Sequence, residues 1–366
     1  MNMNKFYQIA LLLFTTFCVA QIPSGYYNSA TGTGYDLKTQ LYNIIKNNTN
    51  SSSRASYGDL WSLYTSTAFR DNYYENDGSL LDIYSEKPAG PDSYRYTSTS
   101  GQCGNYTAEG SCYNREHIVP QSVWSSAYPM YSDAHFVLPT DGYVNNKRDS
   151  YAFGKVFAAT YTSSNGSKLG ANTTSGYSAG YSGTVFEPID EFKGDVARAL
   201  LYFATRYETQ VTGWTYAMFN GTSTQVFRDA FKNILLVWND LDPVSDYEIA
   251  KNNRVYTFQN NRNPYIDHPE YVNMVWGTAL ETTDFNTIDN SISVYPNPSI
   301  DHKVNIQSEI IIDEIQLISV NGQLLQQITK PNFQNNTYTL ENLSNGFYFM
   351  KMTAGSQSTT KKVIIN

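Results

Sequence analysis

The sequence predicts an α+β fold in two parts, a mixed helical and irregular part over residues 21–285 and a small all-β sandwich-like part over residues 286–366. Three observations predict it. At 366 residues the chain exceeds the size at which one hydrophobic core usually stops growing. Apolar residues at helical spacing occur in the first part. After Asp284 the aromatics thin out, arginine disappears, and short β-favouring runs alternate with turn residues.

The elements follow in chain order. Lys5, the apolar run Ile9 to Phe17 and the small residues around Cys18-Val19-Ala20 read as a secretory signal peptide over residues 1–20. That run is too short to span a bilayer, and no later stretch approaches the roughly 20 apolar residues a span needs. Tyr35 to Ile45 is a predicted helix, followed by an Asn/Ser/Thr loop over 47–53. Residues 160–184, rich in Ser, Thr, Gly and Tyr, read as a loop or a pair of weak strands. Asp190 to Tyr207 is the clearest helix, with Val196, Leu200, Phe203 and Tyr207 on one stripe and Asp195 in its first turn. Thr224 to Leu241 is another, stopped near Pro243. Seven strands are predicted in the tail, at Ile292–Tyr295, Lys303–Gln307, Ile312–Ser319, Leu324–Thr329, Thr337–Leu340, Gly346–Thr353 and Thr360–Ile365, with Asn321-Gly322 as a hairpin turn.

Removal of the leader leaves Cys103 and Cys112, and an even pair in an oxidising compartment reads as one disulfide. The formal charge is −8, and residues 21–285 alone carry 19 Lys+Arg against 27 Asp+Glu. That balance excludes binding of polyanions through a broad basic face; phosphate contacts must be a local patch.

Two stretches carry candidate chemistry, NREHIVPQSVW (114–124) and DAHFVLPTDGYVNNKRDSYAFG (133–154). In the first, read as a strand or strand end, Glu116 and His117 point to opposite sides of an extended backbone, so a bend is needed if both are to face one phosphate. In the second, Phe136 to Leu138 is a short strand and Pro139 to Gly142 a turn, with Thr140 or Asp141 capping a helix through Asn145 and Arg148. Asn145 and Arg148, three apart, share a helix face.

These stretches resemble the bacterial endonuclease I family of periplasmic and secreted nucleases, whose core is a ββα-metal, or His-Me, finger. The resemblance extends through KGDVARALLYFATRY (193–207), LLVWNDLDPVSDYE (235–248) and QNNRNPYIDHPEYV (259–272), and so covers most of residues 30–280. It implies a metal-dependent endonuclease acting on DNA, RNA or both with little sequence preference and leaving 5′-phosphate ends. Carried over by position, it makes Glu116 and Asn145 the ligands of one ion, His117 the general base and Arg148 a phosphate-binding fork. Magnesium is the expected ion, with manganese and calcium as alternatives, because one carboxylate and one amide oxygen suit a hard cation that keeps its waters. Asp133, His135 and Asn114 are expected to support the finger; His135 reads as a buried, hydrogen-bonded histidine. Asn261, Arg262 and Asn263 read as a loop tied down through hydrogen bonds, and Arg198 as either an ion-pair partner or a phosphate contact.

The tail resembles the C-terminal sorting domain of the type IX secretion pathway, through VYPNPS (294–299), VNGQLL (320–325), LSNGFYFMKM (343–352) and KKVIIN (361–366). That resemblance implies a secreted or cell-surface protein handed to the type IX machinery. Separately, the chain is expected to act as a monomer. Two rivals remain at this point. Cys103, Cys112, His117 and His135 could build a structural zinc site, against which the C-x8-C spacing argues. A non-enzymatic secreted adhesin or glycan-binding protein would also suit the Tyr/Ser/Thr/Asn-rich composition, and predicts no hydrolysis.

Overall fold

A computed structural model of the chain describes residues 22–46, 56–97, 100–103, 106–277, 291–320, 322–355 and 357–366. The expected leader, the 47–53 loop and the 285/286 boundary lie outside these residues. The chain divides into two compact units, Met1–Gly277 and Thr278–Asn366. Among the described residues no helix is long and apolar enough to cross a membrane.

In the first unit, α1 (Gly34–Lys46) buries Leu37, Leu41 and Ile45 at four-residue spacing, with Asp36 in its first turn and Lys46 in its last. A short helix, α2 (Asp59–Leu63), precedes a long irregular stretch. Strands β1 (Tyr113–His117) and β2 (Val137–Asp141) then pair antiparallel, with His117 opposite Val137 and Glu116 opposite Leu138. Helix α3 (Gly142–Arg148) follows without a break. The turn expected at Pro139 to Gly142 is therefore strand as far as Asp141. A two-stranded ladder has only edge strands, which tolerate the missing N–H of Pro139.

Strands β3 (Ala152–Phe153), β4 (Val156–Thr162), β5 (Lys168–Asn172) and β6 (Thr184–Glu187) form a sheet in the order β3-β6-β5-β4. The low-complexity stretch over 160–184 thus supplies real strands, β4 and β5 pairing as a hairpin. Helix α4 (Lys193–Arg206) is buried along its whole length and packs against α1, α5 (Asp229–Leu241) and α7 (Pro264–Asp267). Helix α5 starts five residues later than its spacing predicts, because Val226 has φ +60° and Gln225 hydrogen bonds to the Phe227 carbonyl in a turn. Helices α6 (Asp246–Gln259) and α8 (Glu270–Trp276) complete the unit. Ser245 and Glu248 cap α6 reciprocally, each satisfying the other's backbone N–H.

The second unit is all β. Its strands are β7 (Ile292–Tyr295), β8 (Val304–Ser308), β9 (Glu314–Ser319), β10 (Leu324–Thr329), β11 (Thr337–Leu340), β12 (Gly346–Ala354) and β13 (Gln357–Ile365). They form a four-stranded sheet, β10-β9-β12-β13, and a three-stranded one, β11-β8-β7. Ile306 and Leu340 from one sheet share a core with Leu317, Met350 and Val363 from the other, so the sheets are the two leaves of a sandwich.

Candidate active site

The β1–β2–α3 segment is fixed from its corner. Asp141 Oδ1 accepts the Tyr143 and Val144 N–H groups at 2.8 Å each, capping α3. Its Oδ2 accepts from the Tyr96 hydroxyl at 2.6 Å and the Gly110 N–H at 2.8 Å. The Asp141 N–H in turn donates to Asp82 Oδ2 at 2.6 Å, and burial, then the Asp141 charge, pushes Asp82 up to about 8. The Cys103–Cys112 disulfide is present and sits at the same corner: Gly142 N–H donates to the Cys112 carbonyl, and a β-carbon on Gly142 would lie 2.4 Å from Cys103 Sγ. A loop this short contributes about 2–3 kcal/mol by restricting the unfolded chain. With both sulfurs in a disulfide, the zinc-site rival is overturned.

Alternation along β1 separates the functional side chains. Asn114 and Glu116 face α3; Arg115 and His117 face the aromatic residues Tyr57, Trp61 and Tyr131. All of Asn114, Arg115, Glu116, His117, Asn145 and Arg148 nonetheless line one cleft of about 500 Å³, which therefore reaches both faces of the strand.

Glu116 is buried, and its Oε1 accepts from Tyr84 at 3.0 Å and pairs with Arg148 at 3.0 Å. Burial raises its carboxyl to about 7, with Arg148 and Tyr84 opposing that rise. Asn145 donates its amide hydrogen to Asn114 Oδ1 at 2.7 Å, which orients the amide and leaves the Asn145 oxygen as an acceptor. One carboxylate and one amide oxygen in a single cleft form an oxygen-only donor set, which fits a hard divalent cation that retains water.

His117 lies at the end of β1. Its Nε2 is 3.3 Å from the Tyr131 carbonyl, which can only accept, so Nε2 carries the proton and the lone pair is on Nδ1. The Tyr131 ring lies parallel to the imidazole, 5.7 Å away between centroids. Burial lowers the imidazole to about 4, against the Tyr131 carbonyl, so it is uncharged at neutral pH. Arg115 beside it is sandwiched between Tyr57 and Trp61, its guanidinium carbon 3.4 Å and 4.1 Å from the two ring centroids.

Arg148 differs from its expected place. Rather than offering an open fork to a phosphate, it is 1% exposed and donates to the carbonyls of His117 at 2.9 Å and Ile118 at 2.5 Å while pairing with Glu116. A phosphate would have to displace those bonds from a buried cation, so here it positions Glu116 and the end of β1.

His135 lies apart from this cleft, its Nε2 3.0 Å from the Asn261 carbonyl and its ring against Tyr202. Asp133 is a hub, accepting from Tyr202, Tyr207, Gln259 and the His135 N–H. Arg198 pairs with Glu248 through two bonds at 2.6 and 2.8 Å, which settles its alternatives as an internal ion pair. Asn261, Arg262 and Asn263 do tie their loop, to Tyr202, Asp267 and the Arg198 carbonyl respectively. Tyr84, Arg115, Tyr57 and Tyr131 were not singled out from the sequence. Arg115 flanks the motif, but nothing in the spacing tells which tyrosines reach it.

A family model described as Endonuclease I matches residues 33–270, and one described as Secretion system C-terminal sorting domain matches residues 293–366. The chain is 31% identical over 263 residues to an extracellular ribonuclease of Bacillus subtilis (strain 168), covering 69% of this chain and 78% of that protein. It is equally 31% identical over 258 residues to an extracellular ribonuclease of Bacillus amyloliquefaciens, with the same coverage.

Proposed function

The chain belongs to the endonuclease I family and is a secreted or cell-surface nuclease, and on that premise we propose that β1, β2 and α3 are its ββα-metal finger, cutting DNA and RNA with little sequence preference. The observation that carries the reading is a single cleft lined by a neutral imidazole with its lone pair on Nδ1 and by the oxygen donors Glu116 and Asn145.

His117 Nδ1 takes a proton from water, and the hydroxide attacks phosphorus as the bond to the 3′-oxygen breaks, leaving a 5′-phosphate. The Tyr131 carbonyl holds Nε2–H and so stabilises the imidazolium as it forms; the phosphodiester anion does the same. Glu116, fixed by Arg148 and Tyr84, and Asn145, fixed by Asn114, would hold one magnesium ion, for which manganese and calcium are the alternatives. When bound, such an ion would supply Lewis-acid stabilisation of the charge that develops on the phosphoryl and leaving oxygens. Arg115, braced by two aromatic rings, is the cation on this cleft wall suited to a backbone phosphate, in keeping with a local patch on an acidic unit. The tail addresses the protein to the type IX secretion machinery.

The test is digestion of plasmid DNA and of RNA by the purified protein with magnesium. Both are cut, chelator stops the reaction, and His117→Ala lowers the rate at least about 100-fold, the usual order for a missing general base. Robust cutting by that variant would falsify the assignment of His117, and failure of the parent protein to cut one of the two substrates would overturn the proposed action on both.

A further inference from the structure

A second group of carboxylates lies outside the catalytic cleft. Asp71, Glu75 and Glu86 bring one carboxylate oxygen each to within 4.8 Å of one another, and Glu75, Asp77 and Asp92 do the same beside them. Acidic groups on a surface often cluster without consequence, but Glu86 is not on the surface. It is 1% exposed, and neither of its carboxylate oxygens has a hydrogen-bond donor; both oxygens of Glu75 are likewise buried without one. Four buried carboxylate oxygens with no donor from the rest of the protein need a positive charge among them, either a proton held between the two glutamates or a cation that takes its place.

The surroundings are built to present oxygen. Asp71 Oδ1 accepts the Tyr73 and Tyr74 N–H groups and Oδ2 the Asp77 N–H, which curls the loop around the carboxylate and leaves Oδ2 a further lone pair. Arg95 pairs with Asp77 at 3.0 Å, in the outer triad, and is itself mostly exposed. Glu75, Asp77, Asp92 and Arg95 line an open cavity of about 550 Å³, which gives an entry path. Sulfur and imidazole are absent from both triads, so the site suits a hard cation. Three carboxylates and few fixed angles suit calcium better than magnesium, which demands a near-ideal octahedron.

We propose that Asp71, Glu75 and Glu86 form a calcium site that holds the strap Leu80–Glu86 in place. That strap also carries Asp82, which accepts the Asp141 N–H, and Tyr84, which donates to Glu116, so it braces both the corner of α3 and the proposed catalytic carboxylate. The site stands on residues outside the catalytic cleft, and its test is separable from the test of the nuclease reading.

The full chain carrying Glu116→Gln, which silences the cleft, is stripped with chelator and titrated with calcium by equilibrium dialysis and by thermal unfolding. It binds one calcium per chain, and its Tm rises by about 5 °C or more at a hundredfold excess over Kd. Adding Glu86→Gln abolishes binding and the rise. Because that amide is isosteric and can donate to Glu75, the variant's Tm in chelator equals or exceeds the parent's. Glu75→Gln repeats the loss should Glu86→Gln fail to fold. No calcium binding by the Glu116→Gln chain, as when the two glutamates share a proton instead, overturns the site; so does binding unchanged by both substitutions.

Discussion

The two units bury different things. The core of the first is threaded with charge, including Glu116, Arg148, Arg198, Glu248 and Asp133, whereas among the described residues of the second the buried polar side chains are Ser299 and Ser308. Aliphatic burial stabilises without fixing direction; a buried ion pair fixes direction and often stabilises less than apolar packing of equal volume would. The nuclease unit needs specific atoms held at specific angles and keeps costly pairs to do it. The sorting unit needs a folded surface, and apolar packing suffices.

The sharpest way to break this contrast is Arg148→Met. Removing one partner from the buried pair with Glu116 is expected to cost about 3–5 kcal/mol in urea unfolding. A variant that unfolds no more easily would return Arg148 to the substrate contacts. In the second unit, Met350→Ala, in a core with no charge to orphan, is expected to cost about 3 kcal/mol through cavity formation, leaving cleavage within twofold of the parent. A large loss of cleavage there would end the separation of the two roles.

pH sharpens the contrast next. Glu116, raised to about 7, must lose its proton to bind a cation, so the apparent magnesium Kd should rise about tenfold for each unit of pH below about 7. Calorimetric titration between pH 5 and 8 reads it, and a flat profile would remove Glu116 from the ligand set. The effects on stability have opposite signs. Glu116, raised in the folded state, stabilises fully below its unfolded value near 4.5 and loses that as pH rises through about 7. His117, lowered, stabilises above its unfolded value near 6.5 and loses that as pH falls through about 4. Glu116→Gln should therefore unmask a fall in stability from pH 6.5 towards 4. The smallest effect expected is from Tyr84→Phe, about 1 kcal/mol for one hydrogen bond, with a weaker hold on magnesium.

The same contrast governs what could be read in advance. Predicted strand starts in the tail lie within three residues of those observed, because period-two alternation over a single apolar core is a local signal. In the first unit Glu116, His117, Asn145 and Arg148 were legible as a motif, and the structure brings all four to one cleft. Their partners were not. Tyr84 lies 32 residues from Glu116 and Gln259 lies 126 from Asp133, and such pairings are decided by tertiary packing. The surroundings of Arg148 were hidden for the same reason: helix spacing placed it beside Asn145 but could not show the carbonyls of His117 and Ile118 closing over its guanidinium. The late start of α5 follows from Val226 in a left-handed conformation, which a β-branched residue seldom adopts and spacing cannot reveal.

Gly142 lies against Cys103 Sγ, and that contact has a historical consequence. While the two sulfurs remain joined, any residue larger than glycine at this position collides with one of them, so drift there is closed. A lineage that discards both cysteines reopens the position, and alanine, the stronger helix former, becomes admissible at the first residue of the asparagine-bearing helix. Cysteines and glycine should accordingly be lost and gained together among descendants, with the thiols going first.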